Sequence, residues 1–199
     1  MLKIVKYKGL KPVFKQSKKN KIILVNTFRG VREYLISLKY RHNGEYTKIP
    51  NYIICKNGTV IKLLENQESG KFFKDDILNR NSIVIAIENL GWLEKNNEDG
   101  TNINWFGYIY KGDPYYKKWR DYDYWDNYTD EQLISLSKVC AFICDKMKIY
   151  KKFIGHNIKK DITNKFNGIL TRSNLSTTYT DVSPSFDIKK FEKLLENEK

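Results

Sequence analysis

The segment from Tyr52 to Leu64 constrains the fold of this chain more than any other. Two apolar runs, Tyr52-Ile53-Ile54-Cys55 and Val60-Ile61-Lys62-Leu63-Leu64, flank Lys56-Asn57-Gly58-Thr59. Asn-Gly supplies the residues that a tight turn needs, so the two runs fold back on each other as a β-hairpin. Ile22 to Val25 and Ser82 to Ile87 are continuous apolar runs and read as buried central strands. Between the first of these and the hairpin, Val31, Tyr34, Leu35 and Leu38 have helical spacing. Thr129-Asp130-Glu131-Gln132 opens a second helix with a capping-box pattern. Leu133, Leu136, Cys140, Ile143 and Met147 continue its apolar face in steps of three and four. Lys3 to Phe14 predicts a short strand or arm, Phe153-Ile154 a last central strand, and Ile188 to Leu195 a C-terminal helix. The order strand, helix, hairpin, strand, helix, strand, helix predicts an α/β fold: a single domain with a mixed central β-sheet flanked by helices.

No repeat, Pro/Ser-rich linker or low-complexity tract divides the 199 residues, so 1–199 reads as one domain. One segment, about 91–128, has a different texture. Trp92, Trp105, Trp119 and Trp125 sit there with many tyrosines among Gly, Asn and Asp, with little periodicity. It is either an aromatic-rich insertion packed on the core or a loop lining a cleft. No apolar run approaches the roughly 20 residues needed to span a bilayer, and no secretory signal is visible in the lysine-rich first 21 residues. Cys55, Cys140 and Cys144 lack metal-like spacing, and the last two suit buried thiols on one helix better than a disulfide. The net charge of +13 attracts polyanions, or else reflects the lysine, asparagine and isoleucine usage of an AT-rich genome. There is no recognised nucleic-acid motif and no concentrated basic stripe, so specific nucleic-acid binding is not expected.

The element order, together with particular segments, resembles a known family. These segments are Asn26-Thr27 after a strand, Asn57-Gly58-Thr59 in the hairpin, Asn81-Ser82-Ile83 opening the next strand, Thr129 to Leu133, Gly155-His156-Asn157, and Thr180 to Phe186. The family is that of the amidases of peptidoglycan, including phage lysozyme-type N-acetylmuramoyl-L-alanine amidases and animal peptidoglycan-recognition proteins. The resemblance covers about residues 20–195, apart from the aromatic segment. It implies a zinc ion held by two histidines and one aspartate or cysteine, with a fourth position open for a water whose pKa the metal lowers. Carried over, His156 matches the second histidine and Asp181 the third ligand, while Val25 takes the first histidine's place and has no donor atom. Pro50 stands where some members have an assisting tyrosine, and Tyr179 where many have an oxyanion-stabilising lysine. Ala86 stands where an acidic residue is frequent, with Glu88 two residues on and on the same strand face. Without the resemblance, His156 and Asp181 read as turn residues.

A cleft that keeps its frame but loses its metal becomes a pocket. Arg29, Lys71 and Arg172 could supply cations there, with Asn26, Thr27, Asn51, His156 and Tyr179 as donors and stacking surface. Arg29 and Arg172 could equally form surface salt bridges. The resulting expectation is a non-hydrolytic, phage-encoded protein in the cytoplasm of an infected bacterium. It would need no cofactor and would capture an anionic small molecule, either a nucleotide-derived immune signal or a muropeptide. The first alternative is an active zinc amidase whose third ligand comes from His42, Cys55 or Glu88, with Glu88 as the catalytic candidate. The second is a virion or docking protein that meets a protein partner through Trp105 to Trp125.

Overall fold

β2 (Lys21–Asn26) and β5 (Ser82–Ile87) lie side by side, parallel and in unbroken register, in a computed structural model that describes residues 3–96, 99–156 and 165–198. The hairpin strands β3 (Tyr52–Ile54) and β4 (Val60–Lys62) pair antiparallel, and β3 adds parallel to β5. With β1 (Ile4–Lys6) and β11 (Gly168–Thr171) at the edges, the order is β1-β4-β3-β5-β2-β11. Among the described residues, the helices that accompany the sheet are α1 (Val31–Tyr40), α2 (Asp76–Asn81), α3 (Asp130–Met147) and α4 (Ile188–Asn197).

The apolar runs are unbroken because both faces of the sheet are covered. Ile22 and Leu24 point to one side, into a core with Leu136 and Ile143 of α3 and Phe191 of α4. Ile23 and Val25 point to the other, against Tyr34 and Leu38 of α1. The capping box of α3 is formed: Gln132 N–H donates to Thr129 Oγ1 at 3.1 Å and Thr129 N–H to Gln132 Oε1 at 3.0 Å. Gln132 Nε2 also donates to the Glu88 carbonyl at 2.8 Å, fixing the helix start to the end of β5. Cys55, Cys140 and Cys144 are buried free thiols. Among the described residues, no helix is long and apolar enough to cross a membrane.

One expectation needs correction. Phe153-Ile154 is not the last central strand: Phe153 makes only an isolated bridge to Ile169, and the strand beside β2 is Gly168–Thr171. Gly168 opens that strand at a close approach where a Cβ would lie 2.6 Å from the Lys152 carbonyl oxygen. A four-residue strand starting on glycine leaves little periodicity to read. The aromatic segment, for which packing on the core and lining a cleft were both open, has regular structure. It forms a second, antiparallel sheet in the order β8-β7-β6-β10-β9, from β6 (Trp92–Lys95) through β7 (Asn102–Ile103), β8 (Ile109–Tyr110) and β9 (Tyr115–Trp119) to β10 (Tyr122–Trp125).

Candidate functional site

The ends of β2 and β11 and the last turn of α1 converge on one concave region. After β2, Thr27 N–H donates to the Ile87 carbonyl and Phe28 N–H to the Asn89 carbonyl, so the chain leaves the sheet along β5. Phe28 then turns through a positive φ of 57°, uncommon for a bulky side chain, and delivers Arg29 and the Gly30 cap of α1. Gly91 faces Phe28 at a point where a Cβ would lie 2.6 Å from its ring. After β11 a 3-10 turn, Arg172–Asn174, is held by Thr171, whose N–H donates to Asn174 Oδ1 at 2.7 Å. The strand thus presents Arg172 next to the end of β2.

Arg172 meets Asp181. Its Nε donates to Asp181 Oδ2 at 2.8 Å and its Nη2 lies 2.6 Å from the same oxygen. The other carboxylate oxygen, Oδ1, accepts the Asn26 N–H at 2.7 Å. Asp181 has no exposed surface, whereas the Arg172 side chain keeps 18%. The guanidinium also stacks 4.5 Å from the Tyr179 ring centroid. Behind this pair, Tyr128 Oη donates to Asn26 Oδ1 at 2.7 Å and accepts the Ser183 N–H at 3.2 Å.

In front of Arg172 lies a cavity of about 150 Å³. Among the described residues, Arg29, Arg41, Lys48 and Arg172 line it, and no carboxylate does. Among the described residues, Arg29, Arg41 and Lys48 have no ion-pair partner. Arg29 Nε is buried without a hydrogen-bond partner, and the guanidinium lies 4.0 Å from the Phe106 centroid. Arg41 stacks on Tyr46 at 4.9 Å. Partial burial, then the neighbouring charges of Arg172 and Arg41, lower the Lys48 amine below its ordinary range. Burial first, then Tyr46, raises the Tyr34 hydroxyl far above its usual range, so this cavity wall is a neutral phenol. Trp105 and Phe106, from the turn between β7 and β8, close the outer wall. The arrangement can hold an anion.

Of the residues expected at a pocket, Asn26, Thr27, Arg29 and Arg172 line this cavity, with Tyr179 flanking Arg172. The others stand elsewhere. Asn51 is a scaffold residue: its Nδ2 donates to the Glu65 and Glu68 carbonyls, both at 2.9 Å, and its Oδ1 accepts Val84 N–H at 3.1 Å. Lys71 pairs with Asp76 at 3.3 Å on the surface. Glu88 accepts the Val31 N–H at 2.9 Å and the Lys56 N–H at 2.8 Å, so both carboxylate oxygens serve the backbone. His42 is exposed in a 3-10 turn, stacked on Tyr46. The Cys55 thiol is pushed up to about 11 by burial and by Glu88.

His156 is not brought to Asp181 by any hydrogen bond. It packs 5.5 Å from the Trp119 ring centroid, and its Nε2 is buried without a partner. Burial first, then Lys117 and Arg120, lowers it to about 4. Its neighbour Asn157 lies outside the described residues. The residue that the fold sets beside Asp181 is Arg172, because the strand leading there is β11. Val25, with no exposed surface, packs under the cavity among apolar side chains.

The sequence reading missed Arg41, Lys48, Phe28 and Tyr34, while Trp105 and Phe106 fall in the aromatic segment for which lining a cleft was one alternative. One signal was present for two of them: Tyr34, Ser37 and Arg41 repeat at helical spacing and all line the cavity. Lys48 carries no such pattern.

The N-acetylmuramoyl-L-alanine amidase family pattern matches residues 20–167. No curated protein matches the chain. Among solved structures, it is similar to the N-acetylmuramoyl-L-alanine amidase LysC from Clostridium intestinale (TM-score 0.54, 14% identity), covering 98% of this chain and 99% of that one. It is also similar to the ectodomain complex of peptidoglycan recognition proteins LCa and LCx with tracheal cytotoxin (TM-score 0.54, 13% identity, 93% and 92% covered). A third is the amidase AmiD from E. coli with an anhydro-N-acetylmuramic acid peptide (TM-score 0.53, 14% identity, 92% and 60% covered). At these identities the structures speak for the fold.

Proposed function

This chain belongs to the N-acetylmuramoyl-L-alanine amidase family, and from that premise we propose that it binds a small anionic ligand in the family's cleft without hydrolysing it. One observation carries the reading: the Arg172 guanidinium holds Asp181 while Arg29, Arg41 and Lys48 face the cavity with no acid opposite them. The residues do not fit the zinc that the family resemblance implies. Val25 is a buried hydrocarbon with no donor atom, and both Asp181 oxygens already accept N–H donors. Among the described residues, no three His, Cys, Asp or Glu side chains come close enough to hold a metal ion. In place of a divalent ion beside the carboxylate, this chain uses a fixed monovalent one, which attracts an anion but does not generate a hydroxide nucleophile.

Two ligand classes match the charge: a nucleotide-derived signal met in the cytoplasm of a phage-infected bacterium, and a muropeptide bearing carboxylates. Structural neighbours solved with tracheal cytotoxin and with an anhydro-N-acetylmuramic acid peptide support the second. Native mass spectrometry of the chain purified without chelator tests the proposal. A stoichiometric anionic small molecule without zinc is the expected result. Stoichiometric zinc together with cleavage of the muramoyl-L-alanine amide would overturn it.

A further inference from the structure

We propose that the ligand of this cleft is a nucleotide, its phosphates in the cationic cavity and its base against the ring of Trp105. The inference rests on the binding reading above and names the ligand class. At about 150 Å³ the cavity is small; sites that enclose a whole ligand usually measure roughly 300–1,000 Å³. It takes the charged end of a ligand and leaves the remainder on the rim.

Charge identifies that end. Among the described residues, four cations line the cavity and only Arg172 is neutralised, by Asp181, so a surplus of three positive charges remains. A lone carboxylate balances a third of this. A diphosphate group balances most of it and matches the planar forks of Arg29 and Arg41. The buried, unpartnered Nε of Arg29 is a donor with nothing yet to donate to.

The rim is aromatic and held in place. Asn104, only 2% exposed, donates from Nδ2 to the Phe28 carbonyl at 2.8 Å. Its Oδ1 accepts the Phe106 and Tyr108 N–H groups at 3.1 and 3.0 Å. This fixes the turn that carries both rings. Phe106 is engaged by Arg29 and by Trp105, whose centroid lies 3.6 Å away. Trp105 keeps 53% of its surface exposed next to the unpaired cations. An indole held this way is a stacking platform for a planar base, and a base adds affinity there without needing hydrogen-bond partners.

The test is calorimetric titration of the full chain with pyrophosphate, adenosine 5′-diphosphate and muramyl dipeptide. The diphosphate nucleoside is expected to bind about tenfold or more tightly than pyrophosphate. Trp105→Ala should collapse that ratio at least fivefold, Trp105→Phe should keep part of it, and Arg41→Ala should weaken both anions. Urea midpoints confirm that each variant is folded. Equal affinity for the two phosphates, or a ratio that survives Trp105→Ala, overturns the nucleotide assignment while leaving an anion pocket. Tighter binding of muramyl dipeptide than of adenosine 5′-diphosphate also overturns it. Failure of all three compounds to bind overturns the binding reading itself.

Discussion

Replacing Arg172 by methionine removes the cation and keeps much of the aliphatic volume. Asp181 then remains fully buried with only the Asn26 N–H as donor. Breaking a buried ion pair from one side strands a charge, at a cost of about 3–5 kcal/mol. Asp181→Asn is milder. Arg172 keeps its Tyr179 stacking and an 18% exposed side chain that can turn to water, so the loss is about 1–2 kcal/mol, that of a buried hydrogen bond. The double variant strands no charge and should resemble Asp181→Asn. The cycle therefore predicts a coupling of about 3–5 kcal/mol, the whole cost of the stranded charge. For a chain of this size Arg172→Met alone should lower Tm by about 6–20 °C, at about 2–4 °C per kcal/mol. Urea unfolding at pH 7, with all four m-values compared, measures each corner. If Arg172→Met costs less than about 1 kcal/mol, or the effects simply add, the pair is not the buried keystone described above.

The remaining predictions concern the metal, a buried amine and a helix cap. Val25→His should not create a stoichiometric zinc site, because Asp181 stays tied to Arg172, and it should cost about 2–4 kcal/mol by burying a polar ring among apolar neighbours; metal analysis and urea unfolding check both halves. Lys19 is 2% exposed, donates to the Arg80 carbonyl at 2.8 Å, and has its amine lowered by burial from 10.5 to about 8. Between those two values the unfolded chain binds the proton and the folded chain does not, so stability should rise with pH from about 8 to about 10.5. Lys19→Met should flatten that rise and stabilise the fold at pH 7 by about 1–3 kcal/mol; urea midpoints at pH 7, 9 and 10.5 decide. Thr129→Ala removes the cap of α3 and should cost about 1–2 kcal/mol, and a loss near zero by the same assay would mean that the capping box adds nothing.

What short spacing encodes was legible in the amino-acid text. Asn57-Gly58 between two apolar runs specifies the hairpin, Thr129 with Gln132 specifies the start of α3, and the unbroken runs of β2 and β5 specify strands covered on both faces. These features depend on neighbours within a few residues, or on burial that composition alone reports. The family likeness followed from their order. The site did not follow, because its contacts cross the chain: Asn26 meets Asp181 at a separation of 155 residues, and only the pairing of β11 with β2 brings Arg172 to both. The resemblance pointed to His156 beside Asp181 but gave no sign that Arg172 would hold that carboxylate. The aromatic segment hid its strands because they are short and carry rings and polar groups on both faces, leaving no alternation to read. Local sequence thus determined which elements form. Tertiary packing decided which charges face one another, since electrostatic partners are chosen by proximity in space, and proximity is a property of the assembled sheet.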